Sequence, residues 1–227
     1  MLTCSISFFI TILNIFFAKE PPKSAEDSKL KNDVLNFYDL FKLPNFKILL
    51  LANASCATVI MLLVPVVALH VDSLLLHTEN SMKYAGLVFS ASGLAGIIAS
   101  PLWGFFCNKF DGFKVLSTAC FGSGICYALQ TTQNSLLFFT ILQFIAGLFI
   151  CGIMPTVHTL IAQKINSQHS AKAYALTYAC QQGGNCLGPI AAAVILYFAS
   201  SYIVFCVAGI ILLCMSFIIF FKICSKL

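Results

Sequence analysis

The sequence predicts an all-α polytopic membrane protein, a six-helix bundle built as an inverted three-plus-three repeat and preceded by one short additional transmembrane helix. Three observations predict it. The chain is 59% hydrophobic and 9% charged, with a mean hydropathy of +0.93, far from the balance of a water-soluble domain. Its apolar residues gather in long stretches suited to a bilayer core about 30 Å thick, which takes roughly 20 residues per helix. They do not form the alternating segments of about ten residues that mark a barrel. The third observation is the placement of the basic residues, thirteen in number and all lysine, which fall almost entirely between alternate stretches.

Residues 1–18 come first, with a short apolar run over 6–18. A cleaved signal peptide needs cationic residues ahead of its apolar run, whereas here the first lysine, Lys19, follows it. The run is therefore read as a partial transmembrane helix ending on the cytoplasmic side. Residues 19–45 change character: Glu20, Pro21, Pro22, Lys23, Glu26, Asp27 and Lys29 make a charged, proline-led linker. Within it Leu30, Val34, Phe37 and Phe41 recur at helical spacing, so 33–43 reads as an amphipathic helix on the cytoplasmic surface, closed by Pro44.

Residues 46–222 hold six full spans, over 46–69, 84–106, 115–129, 135–162, 173–198 and 201–221, and 223–227 form a short tail. Lysines near span ends are retained in the cytoplasm. Lys19, Lys23, Lys29, Lys31, Lys42 and Lys47 precede the first full span, Lys109 and Lys114 separate the second from the third, Lys164 and Lys172 the fourth from the fifth, and Lys222 and Lys226 follow the last. Only Lys83, beside Asp72 and Glu79, lies on the other side. The linker and the carboxy terminus are thus expected in the cytoplasm, in a cell or bacterial inner membrane. Topology accounts for the net charge of +5, and no nucleic-acid partner is called for.

The eleven cysteines lie mostly inside spans and make no C-x-x-C pair, so they read as small apolar side chains and not as a disulfide or zinc framework. His70, Asp72, His77 and Glu79 read as a solvated outer loop, their spacing fitting no metal site. No metal, cofactor or catalytic residue is expected. Ser90-Ala91-Ser92-Gly93 echoes an intramembrane protease, with His158 as base, but the first glycine of that pattern is missing and Ser92 has a packing role.

That role comes from small residues presented every fourth position, which let helices approach in lipid, where no hydrophobic drive brings them together. Ser92, Gly96, Ser100 and Gly104 form one such stripe, and Cys180, Gly184, Gly188 and Ala192 another. Pro65, Pro101, Pro155 and Pro189 are expected to bend their spans. The striped spans are the middle members of two successive three-span groups, and an odd number of spans inverts the second group relative to the first.

Residues 184–193, with Gly184, Gly188, Pro189, Ala192 and Ala193 in register, resemble the G-x-x-x-G-P-x-x-G-G antiporter motif of the major facilitator superfamily. Residues 104–114 resemble that family's G-x-L-x-D-R-x-G-R-K loop: Gly104 and Lys109 are in place, Asn108 stands for the acid, and the second glycine is displaced by one position to Gly112, with Lys114 following. Gln143, Gly147, Gly152 and Pro155 are similar to its R-x-x-x-G helix, with Gln for Arg, and Lys19 to Pro22 resemble the exit from its sixth helix. The resemblance implies a carboxy-terminal half, from the end of helix 6 to helix 12, of a multidrug or other small-molecule efflux transporter. It implies the lipid bilayer and an unidentified small molecule as partners, with proton coupling as one option. A separate amino-terminal half or a second copy would complete the site, since alternating access needs two bundles. A truncated or split transporter is the reading, and a non-transporting scaffold or remnant the alternative. Gln143, His158, Gln181, Gln182 and Asn185 are the intramembrane polar groups expected either on the substrate pathway or as hydrogen-bonding glue between helices.

Overall fold

A computed structural model describes residues 40–41, 43, 45–75, 80–133, 135–165 and 167–224. The expected first helix, the linker and most of its amphipathic helix lie outside the described residues. The described chain is helical, without a strand: α1 (Phe46–Leu74), α2 (Ser81–Lys109), α3 (Gly112–Gln130), α4 (Leu136–Ile150), α5 (Ile153–Lys164), α6 (Ser167–Phe198) and α7 (Ser201–Cys224). Five stretches are long and apolar enough to cross a membrane: α1, α2, α3, the α4–α5 pair over Leu136–Lys164, and Ser201–Lys222 within α7. The remaining expected span, 173–198, lies within the 32-residue α6. Gln181, Gln182 and Asn185 in its middle make it less apolar than the other five.

Two differences from the sequence reading change the environment of particular residues. The fourth span is broken into α4 and α5 at Cys151 and Gly152. Pro155 explains this locally, because it has no N–H to give the carbonyl of Cys151 four residues earlier. Pro65, Pro101 and Pro189 lie inside unbroken helices. The first span also runs on past residue 69 to Leu74, which turns His70 from an expected loop residue into a fully buried one.

The packing follows the small residues. α1 lies along α6, α2 along α4 and α3 along α7, while α3 also flanks α4 and α1 flanks α7. Gly184 and Gly188 put the backbone of α6 directly on α1: a Cβ on Gly188 would stand 2.6 Å from the Thr58 carbonyl oxygen and 2.8 Å from the Leu62 nitrogen, and one on Gly184 would collide with the Ala54 carbonyl. On α3 and α7, Gly124 meets Gly209 in the same way. The Ser117 and Ser216 hydroxyls lie 3.0 Å apart there, and Ser216 donates to the Ser117 carbonyl at 2.9 Å. Such interhelical bonds take the place of hydrophobic drive inside a membrane.

The helix ends sort the lysines. The turn at Phe110 and Asp111 joins α2 to α3, and the Asp111 carboxylate caps α3 by accepting the Phe113 N–H at 3.0 Å. Lys164, at the end of α5, sets its ammonium 4.1 Å from the centre of the Phe113 ring. That same end of α5 forms a cavity with Phe46 and Leu49 at the start of α1, and the end of α7 meets Ile48 of α1 beside Lys222. Lys47, Lys109, Lys114, Lys164 and Lys222 therefore share one end of the bundle, and Lys83 stands at the other.

Candidate functional site

Buried polar side chains are costly in an apolar bundle unless paired, so their partners show what each is for. Gln143 is buried on α4 and accepts a hydrogen bond from Gln130 Nε2 of α3 at 2.9 Å. It sits in a helix contact, apart from the other four candidate residues. Of those four, His158 of α5 and Gln181 of α6 lie where the two helices meet, and Gln182 and Asn185 lie on α6 against each other. His158, half-buried, lies with its ring centre 5.5 Å from that of Tyr174, whose hydroxyl donates to the His158 carbonyl at 3.3 Å. One turn earlier on α5, the Met154 sulfur stands 3.7 Å from Gln181 Nε2. Gln182 is exposed and accepts from Asn185 Nδ2 at 2.7 Å. An exposed amide pair in the middle of a helix within a bundle of apolar spans is badly placed against lipid tails and well placed against a polar solute or a wetted cavity.

The striped residues divide. On α6, Gly184, Gly188 and Ala192 are buried and Pro189 is exposed. On α2, Ser92 and Gly96 face the broken crossing: a Cβ on Gly147 would come 3.1 Å from Ser92 Oγ, and one on Gly96 would come 3.1 Å from Cys151 Sγ. Ser100 is exposed, its hydroxyl donating to the Gly96 carbonyl at 2.8 Å, and the space beside Gly104 is open. In the loop motif Asn108, Lys109 and Lys114 are exposed, while Gly112 is pressed by Leu160, at 2.6 Å from where a Cβ would stand.

Two functional-looking features, His70 and Trp103, escaped the sequence reading, and a third, Asn53, is legible in the sequence as an intramembrane polar group suited to hold helices together. His70 sets Nδ1 3.2 Å from the Ser201 hydroxyl and lies among the rings of Phe139, Tyr202 and Phe205. Asn53, fully buried on α1, donates to the Thr177 carbonyl of α6 at 3.0 Å. Trp103 of α2 closes the break in the fourth crossing. The Gly152 N–H bonds to Phe149 instead of Leu148, which frees the Leu148 carbonyl, and Trp103 Nε1 donates to it at 2.7 Å. The indole lies against Gly152, leaving no room there for a side chain. The bundle thus combines a crossing broken at a defined place and stitched from a neighbouring helix, polar side chains where α5 meets α6, and backbone-to-backbone glycine contacts.

The comparison with known proteins agrees with this architecture. Multidrug resistance protein MdtG of Escherichia coli, in strains K12 / DH10B, SMS-3-5 and SE11 alike, is 29% identical over 158 residues, which is 67% of this chain and 38% of the relative. The chain thus spans about 38% of the length of the curated relatives it matches. Residues 48–224, from the first turn of α1 to the end of α7, match the family described as Major Facilitator Superfamily, a family of membrane transporters and not of enzymes, and the chain belongs to it.

Proposed function

We propose that the chain forms the carboxy-terminal lobe of a secondary transporter that expels small molecules, equivalent to the end of helix 6 through helix 12 of a complete carrier. The observation that carries this reading is the pairing of the helices. Exchanging α1, α2 and α3 with α4–α5, α6 and α7 turns the α1–α6 contact into α4–α2, turns α1–α7 into α4–α3, and returns α3–α7 to itself. A bundle of two inverted three-helix groups has this property. The relatives' name, multidrug resistance protein, supports an efflux cargo of small molecules. His158 of α5 and Gln181, Gln182 and Asn185 of α6 form the lobe's wall of the pathway, and Gln143, paired with Gln130, holds α4 to α3. The lysine-bearing end faces the cytoplasm.

One lobe supplies one wall, so transport requires a second bundle. The test is drug tolerance and dye efflux in a susceptible strain expressing the chain alone or joined to the amino-terminal six-helix lobe of a complete carrier. The expected result is efflux only from the joined form, with Gln181→Leu and Gln182→Leu lowering it at unchanged membrane abundance. Efflux by the chain alone would instead make it self-sufficient, as a pair of identical lobes, and overturn the single-lobe reading.

A further inference from the structure

α2 and α3 are joined by a two-residue turn and both pack on α4, while α3 alone of the two lies along α7. The wedge left between them at the lysine-bearing end is a groove of about 330 Å³. Trp103, Phe106 and Phe110 wall it on one side, and Lys114, Val115 and Thr118 on the other. Its polar side chains are mostly committed elsewhere. Trp103 Nε1 donates to the Leu148 carbonyl, so the groove receives the face of the indole, and the Thr118 hydroxyl donates to the Lys114 carbonyl at 2.9 Å. The ammonium of Lys114 is left as the lining donor. Lys109, outside the lining, sets a second ammonium 5.9 Å from the centre of the ring of Phe110, which does line it. Among the described residues neither lysine is in a salt bridge, and the nearby Asp111 carboxylate caps α3.

A ligand for this groove needs a long apolar body and one anionic end. In a protein that crosses the bilayer, at the end where its cationic side chains gather, the surrounding membrane itself supplies that molecule. We propose that the groove holds an anionic phospholipid, with an acyl chain against Trp103 and Phe106 and its phosphate on Lys114 and Lys109. This assignment requires only that the helices cross a bilayer, and it stands whether or not the transport reading does.

Trp103 is the one tryptophan of the chain, which makes the site self-reporting. The full chain is reconstituted in phosphatidylcholine vesicles, and the lipid is replaced stepwise by dibrominated phosphatidylglycerol or, separately, by dibrominated phosphatidylcholine with the same chains. Bromine quenches indole fluorescence on contact. The brominated phosphatidylglycerol is expected to quench at the lower mole fraction, with a preference of about fivefold per lysine that shrinks as salt is raised. K109Q/K114Q should abolish the preference while leaving quenching by the phosphatidylcholine unchanged, which also reports that the indole has kept its place. K222Q, a change at the same end but beside a different groove, should leave the preference intact. Equal quenching by the two lipids would overturn the proposal, as would a preference that survives K109Q/K114Q or one lost in K222Q.

Discussion

Gly183 and Gly184 are adjacent in the chain and opposite in situation. A Cβ on Gly183 would meet nothing within 4 Å, whereas one on Gly184 would run into the backbone of α1. Gly188 is pinned in the same way, at 2.6 Å from a carbonyl oxygen that cannot rotate aside as a side chain would. Overpacking of this kind costs about 1–3 kcal/mol, so Gly188→Ala should destabilise the bundle by that amount in reversible unfolding from bicelles. Gly183→Ala should be neutral or slightly stabilising, since alanine favours helix over glycine by up to about 1 kcal/mol. Equal effects at the two sites would mean that α6 does not rest on α1. The stripe on α6 was legible because close helix approach demands small residues on one face. The stripe on α2 has the same spacing, yet Ser100 and Gly104 meet no neighbouring helix there. Spacing marks a face and leaves its partner unnamed. The Ser117 and Ser216 pair gave no pattern at all, because its members stand 99 residues apart. A double-mutant cycle with Ser117→Ala and Ser216→Ala should give a coupling near 0.6 kcal/mol, the average for interhelical bonds inside membranes.

Among the elements, the fourth crossing departs furthest from a straight span, and its break has two separable causes. Pro155 removes one backbone donor, and Trp103 takes the Leu148 carbonyl that the tightened turn at Gly152 releases. Pro155→Ala returns an N–H opposite the Cys151 carbonyl. If the proline sets the break, the amide of residue 155 in that variant should be protected in hydrogen exchange like the middle of a helix. Exchange at a loop-like rate would assign the break to Gly152 and the indole. Trp103→Phe leaves the Leu148 carbonyl without its donor and should cost about 1–3 kcal/mol in the same unfolding assay. A proline is visible in any sequence, but Pro65, Pro101 and Pro189 sit in unbroken helices, so proline alone did not mark this place. The deciding contact joins residues 45 apart in the chain, and long-range pairing of that kind leaves no periodicity to find. His70 shows the converse. A polar side chain ended the expected span at residue 69, and the Ser201 hydroxyl and rings from α4 and α7 make its burial tolerable.

For the whole molecule, the legible property was the sorting of charge, because bilayer insertion imposes it on the sequence directly and no tertiary contact is needed to read it. Lys47, Lys109, Lys114, Lys164 and Lys222 occupy the end built from the start of α1, the α2–α3 turn and the ends of α5 and α7. The opposite end carries Lys83. Loops this short, and lysines this close to the helix ends, are where cationic residues govern insertion. Cytoplasmic lipid headgroups attract each such lysine by about 1 kcal/mol, so the crowded end should face inward. Gln163, exposed near the end of α5, and Thr132, exposed after α3, report on the two ends. In a background with the native cysteines replaced, a membrane-impermeant maleimide applied to intact cells should label Thr132→Cys and spare Gln163→Cys. Permeabilised cells should show labelling of both. The reverse pattern would place the lysines outside, against the bias that directs insertion, and would point the α5–α6 seam and the lipid groove to the opposite leaflet. Labelling of both sites in intact cells would mean that the chain inserts in two orientations.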